Sequence, residues 1–150
     1  IRQYCPQIVL CNTFEDRHID HGKANALVND SCFLSGLSKI ETYDEKSEIQ
    51  KPWRPKIVLE YIQWNETKPD IILDISRHLE TKIKCVSAYK SQFFDPKSKE
   101  LDTPISSKNF IESVKYRAKN LGRLIGVEAG EGYTSRQPLS VESLDALVRR

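Results

Sequence analysis

The feature that most constrains this chain is an alternation of short β-branched runs with stretches of helical periodicity. Gln7 to Cys11 is a short apolar run behind Pro6, and it reads as a buried strand. Its polar exit is Asn12-Thr13-Phe14-Glu15-Asp16-Arg17. Beyond that exit Ala24, Leu27, Val28, Ser31, Leu34 and Leu37 recur at three- and four-residue spacing. The spacing predicts a helix that starts near Asp20 to Gly22, ends near Gly36 and carries those residues on one face. Lys56 to Ile62 and Asp70 to Ile75 predict a second and a third strand, separated by a polar turn ending at Pro69. Leu79, Ile83, Val86, Tyr89 and Phe93 predict a helix that Asp95-Pro96 stops. Ser106 and Ser107 offer N-caps for a last helix through Phe110, Val114, Ala118, Leu121 and Ile125, with Gly126 as its stop. Residues 38–55 read as a long loop, and everything after Gly126 as loop and tail. Strands alternating with helices specify an α/β layered fold, Rossmann-like, with a mainly parallel sheet.

Composition narrows the class. A chain of 150 residues can bury one hydrophobic core. No apolar run approaches the roughly 20 residues that a membrane helix needs. With 23 Lys plus Arg against 21 Asp plus Glu, the formal charge of +2 supplies no bulk field for a phosphate backbone. Neither nucleic acid nor a membrane is therefore expected as a partner. The chain has no Met, and Ile1-Arg2-Gln3-Tyr4 lacks the layout of a signal peptide. This reads as a fragment whose sheet lacks its N-terminal part. Cys5, Cys11, Cys32 and Cys85 form no CxxC pair, which fits reduced thiols in a cytoplasmic protein. Cys11, Cys32 and Cys85 stand in apolar surroundings and are expected to be buried.

Ligand crevices of open α/β sheets lie beyond the carboxyl ends of the strands, which draws attention to the segment after Cys11. Glu15-Asp16-Arg17-His18-Ile19-Asp20-His21 holds two of the three histidines, three carboxylates and an arginine. Histidines three apart at a loop-to-helix junction can turn one ring to a metal and the other to a substrate oxygen, with Asp20 orienting a ring. A capping Asp20 with two solvated histidines accounts for the same letters. Catalytic zinc takes three protein ligands, so this cluster alone cannot close a site. His78, beside Arg77 and Glu80, reads as an exposed helix residue.

Asp16-Arg17-His18-Ile19-Asp20-His21-Gly22-Lys23, followed by Leu27-Val28 and Cys32-Phe33-Leu34-Ser35-Gly36-Leu37, resembles the LmbE-like zinc-dependent N-deacetylase family. Trp53-Arg54-Pro55-Lys56, Tyr61-Ile62-Gln63, Pro69-Asp70, Asp74-Ile75-Ser76, Ala88-Tyr89-Lys90-Ser91-Gln92-Phe93, Thr103-Pro104-Ile105-Ser106-Ser107 and Leu121-Gly122-Arg123-Leu124-Ile125-Gly126 are similar to its bacillithiol-biosynthesis branch. The resemblance implies the C-terminal part of a single deacetylase domain spanning residues 1–150. It implies removal of acetate from a small N-acetylated amino-sugar substrate, N-acetylglucosaminyl malate, by a cytoplasmic homo-oligomer. It further implies zinc, or another divalent metal, held by His21 together with a His and an Asp of an Ala-His-Pro-Asp-Asp motif. That motif, and with it the general base, is absent from this chain. On the same resemblance His18 stabilises the oxyanion, Asp20 orients and charge-balances His18, and Arg17 reaches the substrate's carboxylates. Where the family has Tyr-Ala-Glu-Gly-Phe this chain has Ala129-Gly130-Glu131-Gly132-Tyr133, which replaces the tyrosine by Ala129. Two other readings remain beside it: an inactive or binding-only fragment, and a phosphoesterase, for which there is no Gly-rich phosphate loop.

Overall fold

The computed structural model describes residues 1–93, 101 and 103–148. In chain order the elements are β1 (Ile8–Asn12), α1 (Ile19–Leu34), β2 (Ile57–Tyr61), β3 (Ile71–Asp74), α2 (Leu79–Ser87), α3 (Lys108–Leu124) and β4 (Gly130–Thr134). Short 3-10 turns occupy Ser76–His78 and Leu144–Leu147. The strand order is β1-β2-β4-β3. Pairing is parallel between β1 and β2, in the register Ile8↔Ile57 to Asn12↔Tyr61. It is antiparallel between β2 and β4, through Glu60↔Thr134 and Tyr61↔Tyr133. The expected α/β layered fold is thus present with a mixed sheet. The chain divides into two compact units, one of residues 1–70 with the chain from Tyr133 on, the other Ile71–Gly132.

In the first unit β1, α1 and β2 make a strand-helix-strand unit. The strand expected to be buried is covered on one face only: side chains alternate along β1, and α1 packs on the face that carries Cys11. Cys11 is buried against Asn25 of α1, whereas Ile8 and Leu10 are 55% and 52% exposed. The inner face of α1 also differs from the apolar spacing, since Leu27 is 68% exposed and the buried residues are Asn25 and Cys32. Polar bonding sets this rotation. The Asn25 amide donates to the Asn12 carbonyl at 2.6 Å and to Glu60 Oε1 at 2.8 Å. A hydrophobic count cannot register a stripe built on an asparagine.

The loop between α1 and β2 is held by Arg2. Its buried guanidinium donates to the carbonyls of Ser35 (2.9 Å), Leu37 (2.8 Å) and Ile40 (2.6 Å), which ties the start of this loop to the N-terminal segment. Trp53 Nε1 donates to the Pro6 carbonyl at 2.8 Å and fixes the entry to β2.

The second unit packs α2 against α3 over a small core of Ile75, Leu79, Ala118 and Ala129, joined by Ile83. Ser107 caps α3 as expected, accepting the Phe110 N–H at 3.1 Å, and Gly126 ends it with φ +70°. Helix α2 stops at Ser87 instead of continuing to Phe93, and the chain then turns through Tyr89 N–H to Val86 O and Gln92 N–H to Tyr89 O. The expected Asp95-Pro96 stop lies outside the described residues. Strand β4 falls where a loop and tail were expected. A β-carbon on Gly130 would meet Ile72 Cγ2 at 2.6 Å, so close approach of chains demands the glycine that disguises this strand.

Candidate active site at the carboxyl ends of β1 and β2

Parallel pairing brings the ends of β1 and β2 side by side, Asn12 opposite Tyr61, so the two following loops leave from one edge. Two hydrogen bonds join them: Asn12 Nδ2 donates to Gln63 Oε1 at 3.0 Å, and the Trp64 N–H donates to Asp16 Oδ2 at 3.0 Å. Behind this edge lies a buried polar network. Glu60, only 2% exposed, accepts from Arg136 Nε and from Asn25 Nδ2, each at 2.8 Å. Arg136 also donates to Asn25 Oδ1. The network fixes α1 to the exit of β1, and so fixes the origin of the histidine segment.

Asp16 occupies the centre of that segment. Its side chain is fully buried, and besides Trp64 it accepts the Arg17 N–H at 2.6 Å. Burial by itself would raise its pKa, but the N–H groups of Trp64 and Arg17 and the ring of His21 outweigh it and hold the carboxyl below its ordinary value. His21 Nδ1 is buried 3.2 Å from Asp16 Oδ2, within ion-pair distance but not aligned as a hydrogen bond, and its Nε2 lies 3.5 Å from Gln63 Nε2.

His18 is the N-cap of α1. Its Nδ1 accepts the Asp20 N–H at 3.2 Å, the bond that a serine or aspartate usually makes at a helix start. An accepting Nδ1 leaves the proton of the neutral ring on Nε2, so His18 presents an N–H outward. The ring is about half exposed. The orienting bond expected from the Asp20 side chain is not formed: its Oδ2 stands 3.7 Å from His18 Nδ1, beyond hydrogen-bond range, and it is the backbone of Asp20 that holds the ring. The two rings are neighbours, with centroids 5.4 Å apart. Arg17 lies with its guanidinium 4.8 Å from the centre of the Trp64 ring, a stacked cation that leaves its edge open.

The structure therefore brings Arg17, His18, Asp20 and His21 to one strand-end edge. It adds Asp16, Gln63 and Trp64, to which the sequence reading assigned no role. Asp16 stood inside the conspicuous polar cluster, but burial alone sets it apart from its neighbours. His78 is exposed in the second unit, as expected. Ala129 is fully buried in the core of that unit, against Gly122. Of the cysteines expected to be buried, Cys11 and Cys32 are, whereas Cys85 is exposed because it lies on the outward side of the short α2. A separate cavity of about 390 Å³ lies at the amino end of β2, lined by Phe33, Arg54, Lys56, Ile57 and Arg136 among others, and none of the four predicted residues lines it.

As a metal ligand His21 fits one position: an imidazole whose far nitrogen meets a buried carboxylate. Among the described residues no group of three or more His, Cys, Asp or Glu side chains is placed to hold an ion. The described residues by themselves do not make a closed zinc site. No helix among the described residues is long and apolar enough to cross a membrane.

No protein-family model matches the chain. Among solved structures it superposes on a conserved protein from Thermus thermophilus with a TM-score of 0.75 and 24% identity, over 93% of this chain and 56% of that one. It also superposes on an N,N'-diacetylchitobiose deacetylase from Pyrococcus horikoshii, in complex with an inhibitor, with a TM-score of 0.64 and 21% identity, over 88% of this chain and 46% of that one. The chain spans about half the length of both structures, and what it shares with them is the fold.

Proposed function

We propose that this chain is part of an LmbE-like N-deacetylase that hydrolyses the acetamide of an N-acetylated amino sugar, with N-acetylglucosaminyl malate as the substrate. The observation that carries the reading is the presentation of the two histidines. His18 accepts with Nδ1 and so offers Nε2–H, while His21 backs its Nδ1 onto a buried carboxylate. Such a pair supplies one donor and one ring nitrogen side by side, which suits amide hydrolysis at a carbonyl. The resemblance in sequence and the fold shared with a chitobiose deacetylase support the same conclusion.

On this reading the His18 Nε2–H donates to the oxygen of the acetamide carbonyl as it gains charge. The helix α1 cap fixes the direction of that donor before substrate arrives, which is what makes such a donor effective. Arg17, its guanidinium stacked on Trp64 with a free edge, meets the carboxylates of the malate group. The cofactor proposed is zinc or another divalent ion, with His21 as one ligand and the remaining ligands outside these 150 residues. A small-molecule substrate, a cytoplasmic site and a homo-oligomer complete the proposal, and the four free cysteines are in keeping with a reducing compartment.

The absence of a ligand trio among the described residues favours one further statement, that the 150-residue chain alone is inert. The test is release of free amine from N-acetylglucosaminyl malate by the protein carrying this chain, beside the isolated chain. Turnover by the former and none by the latter is the expected result. No release from any N-acetylglucosaminyl compound by the protein carrying this chain would overturn the assignment.

A further inference from the structure

We infer that the cavity at the amino end of β2 is a binding site for a small amphiphilic anion, one acidic group carried on a compact apolar body. The cavity lies wholly within the first unit. Its volume of about 390 Å³ falls in the range of small-molecule pockets and exceeds what a bare ion fills. Ile57 and Val58, which line it, open β2, whereas the histidine segment stands beyond the other end of that strand, at Tyr61. At roughly 3.3 Å per residue the two ends of the strand are about 13 Å apart, so the cavity is not an extension of the candidate active site.

The charge of the lining is one-sided. Arg54, Lys56 and Arg136 line the cavity, and no acidic residue does. Arg136 is balanced from behind by Glu60, which accepts from its Nε at 2.8 Å. Among the described residues no carboxylate is paired with Arg54 or Lys56, so two positive charges stand at the cavity without a counter-charge. Arg54 is also held in place. Its guanidinium lies 4.6 Å from the centre of the Phe33 ring and its Nη2 donates to the Phe33 carbonyl at 3.0 Å, which leaves further N–H groups of the fork for a ligand oxygen.

Phe33, Ile57 and Val58 give the same cavity an apolar wall. Phe33 is 56% exposed, apolar surface that a bound molecule would take out of water. A carboxylate or a phosphate monoester on an apolar body sets its acid against Arg54 and Lys56 and its body against this wall. An inorganic anion gains only the first contact, and a neutral apolar molecule only the second. The combination of charge and wall therefore selects the amphiphilic anion over either part alone.

Titration of the ¹⁵N-labelled, metal-free chain near neutral pH with phenyl phosphate, benzoate, inorganic phosphate and phenol, followed by backbone amide shifts, tests the inference. Saturable shifts at millimolar phenyl phosphate or benzoate are expected, centred on Phe33, Lys56 to Val58 and Ser135 to Gln137. Whichever of the two binds more tightly identifies the acidic group as phosphate or carboxylate. Inorganic phosphate and phenol should each bind more weakly than both. Lys56→Gln and Arg54→Gln should each weaken binding about two- to fivefold, the effect of one exposed charge pair. Lys56 is exposed, so its variant reads charge without threatening the fold. No saturation at millimolar concentration, shifts centred on Arg17 to His21, phosphate or phenol binding as tightly as the amphiphilic anions, or parent affinity in Lys56→Gln would each overturn the inference. No metal or acetamide enters the measurement, so failure here is distinct from failure of the deacetylase assignment.

Discussion

His18 and His21 lie with their ring centroids 5.4 Å apart, and each turns the same atom, Nδ1, back into the chain for opposite purposes. In His18 it accepts a backbone N–H at the start of α1, and in His21 it faces the buried carboxylate of Asp16. One amino-acid type thus caps a helix at one position and backs onto a buried carboxylate three residues on. The two positions should respond differently to the same substitution.

His18→Ala removes the donor and spares His21. On the proposed deacetylase reading the complete protein should retain its metal while kcat falls about 100-fold or more, the usual effect of losing one oxyanion donor. Loss of the cap should add a destabilisation of about 0.5–2 kcal/mol. Elemental analysis beside steady-state kinetics reads both, and metal loss in this variant would exchange the roles of the two rings.

His21→Ala should give the complementary result. On the proposed reading one of three ligands is lost, so zinc affinity of the complete protein should fall steeply and activity with it. His18 remains capped and N–H outward, and the fold should survive. Isothermal titration with zinc separates the two variants, and an unaltered affinity would remove His21 from the ligand set.

Much of this fold was legible because its logic is periodic. The strands around Ile57 and Ile71 and the helix capped by Ser107 follow from alternation, three-to-four spacing and an N-cap. What could not be read lies where polar or glycine residues do structural work. The inner face of α1 is organised by Asn25, whose amide bonds outweigh the apolar count that favours Leu27. Strand β4 carries Gly130 and Gly132 in five residues, a composition that argues for a turn until the approach of Ile72 is seen. At the site the letters supplied the cluster but not its hierarchy. Burial selects Asp16 over Glu15 and Asp20, and burial depends on β2 delivering Trp64 and Gln63 to the same edge.

Arg136 balances a carboxylate that water hardly reaches, Glu60 being 2% exposed. Arg136→Ala leaves that charge with Asn25 and Thr134 as its partners. Because the Arg136 side chain is itself half exposed, the cost should stay near that of an unsatisfied buried group, about 1–3 kcal/mol. Adding Glu60→Gln removes the stranded charge and should recover part of the loss. Urea midpoints of the two single variants and the double give the coupling, and strict additivity would contradict a shared network.

Gly122 tests packing against propensity. In a helix interior Gly→Ala ordinarily stabilises by about 0.8–1.0 kcal/mol. Here the new β-carbon would lie 2.7 Å from both Cα and N of Ala129, backbone atoms that cannot move aside cheaply. Steric overlap should prevail, so Gly122→Ala is expected to destabilise by about 1–3 kcal/mol. Ala129→Tyr should be worse, since Ala129 is fully buried, and a tyrosine introduced there could not be accommodated without opening the core. A higher melting temperature for Gly122→Ala would contradict the contact.

The cysteines supply a pH dependence. Burial, reinforced by the nearby charge of Glu60, pushes the Cys11 thiol up to about 11, and burial raises Cys32 as well. A free thiol ionises near pH 8.5, so the unfolded chain releases these protons first. Between about 8.5 and 11 the unfolded state therefore gains stability that the folded state does not. Stability should be fully retained below pH 8 and should decline as pH rises through that window. Cys11→Ala should flatten the decline, at some loss of packing. In the same samples exposed Cys5 and Cys85 should be alkylated at pH 8 well before Cys11 and Cys32. Urea midpoints at pH 8 and pH 10 for the parent and Cys11→Ala, with mass-mapped alkylation, decide the point: equal pH slopes, or early labelling of Cys11, would count against a buried neutral thiol.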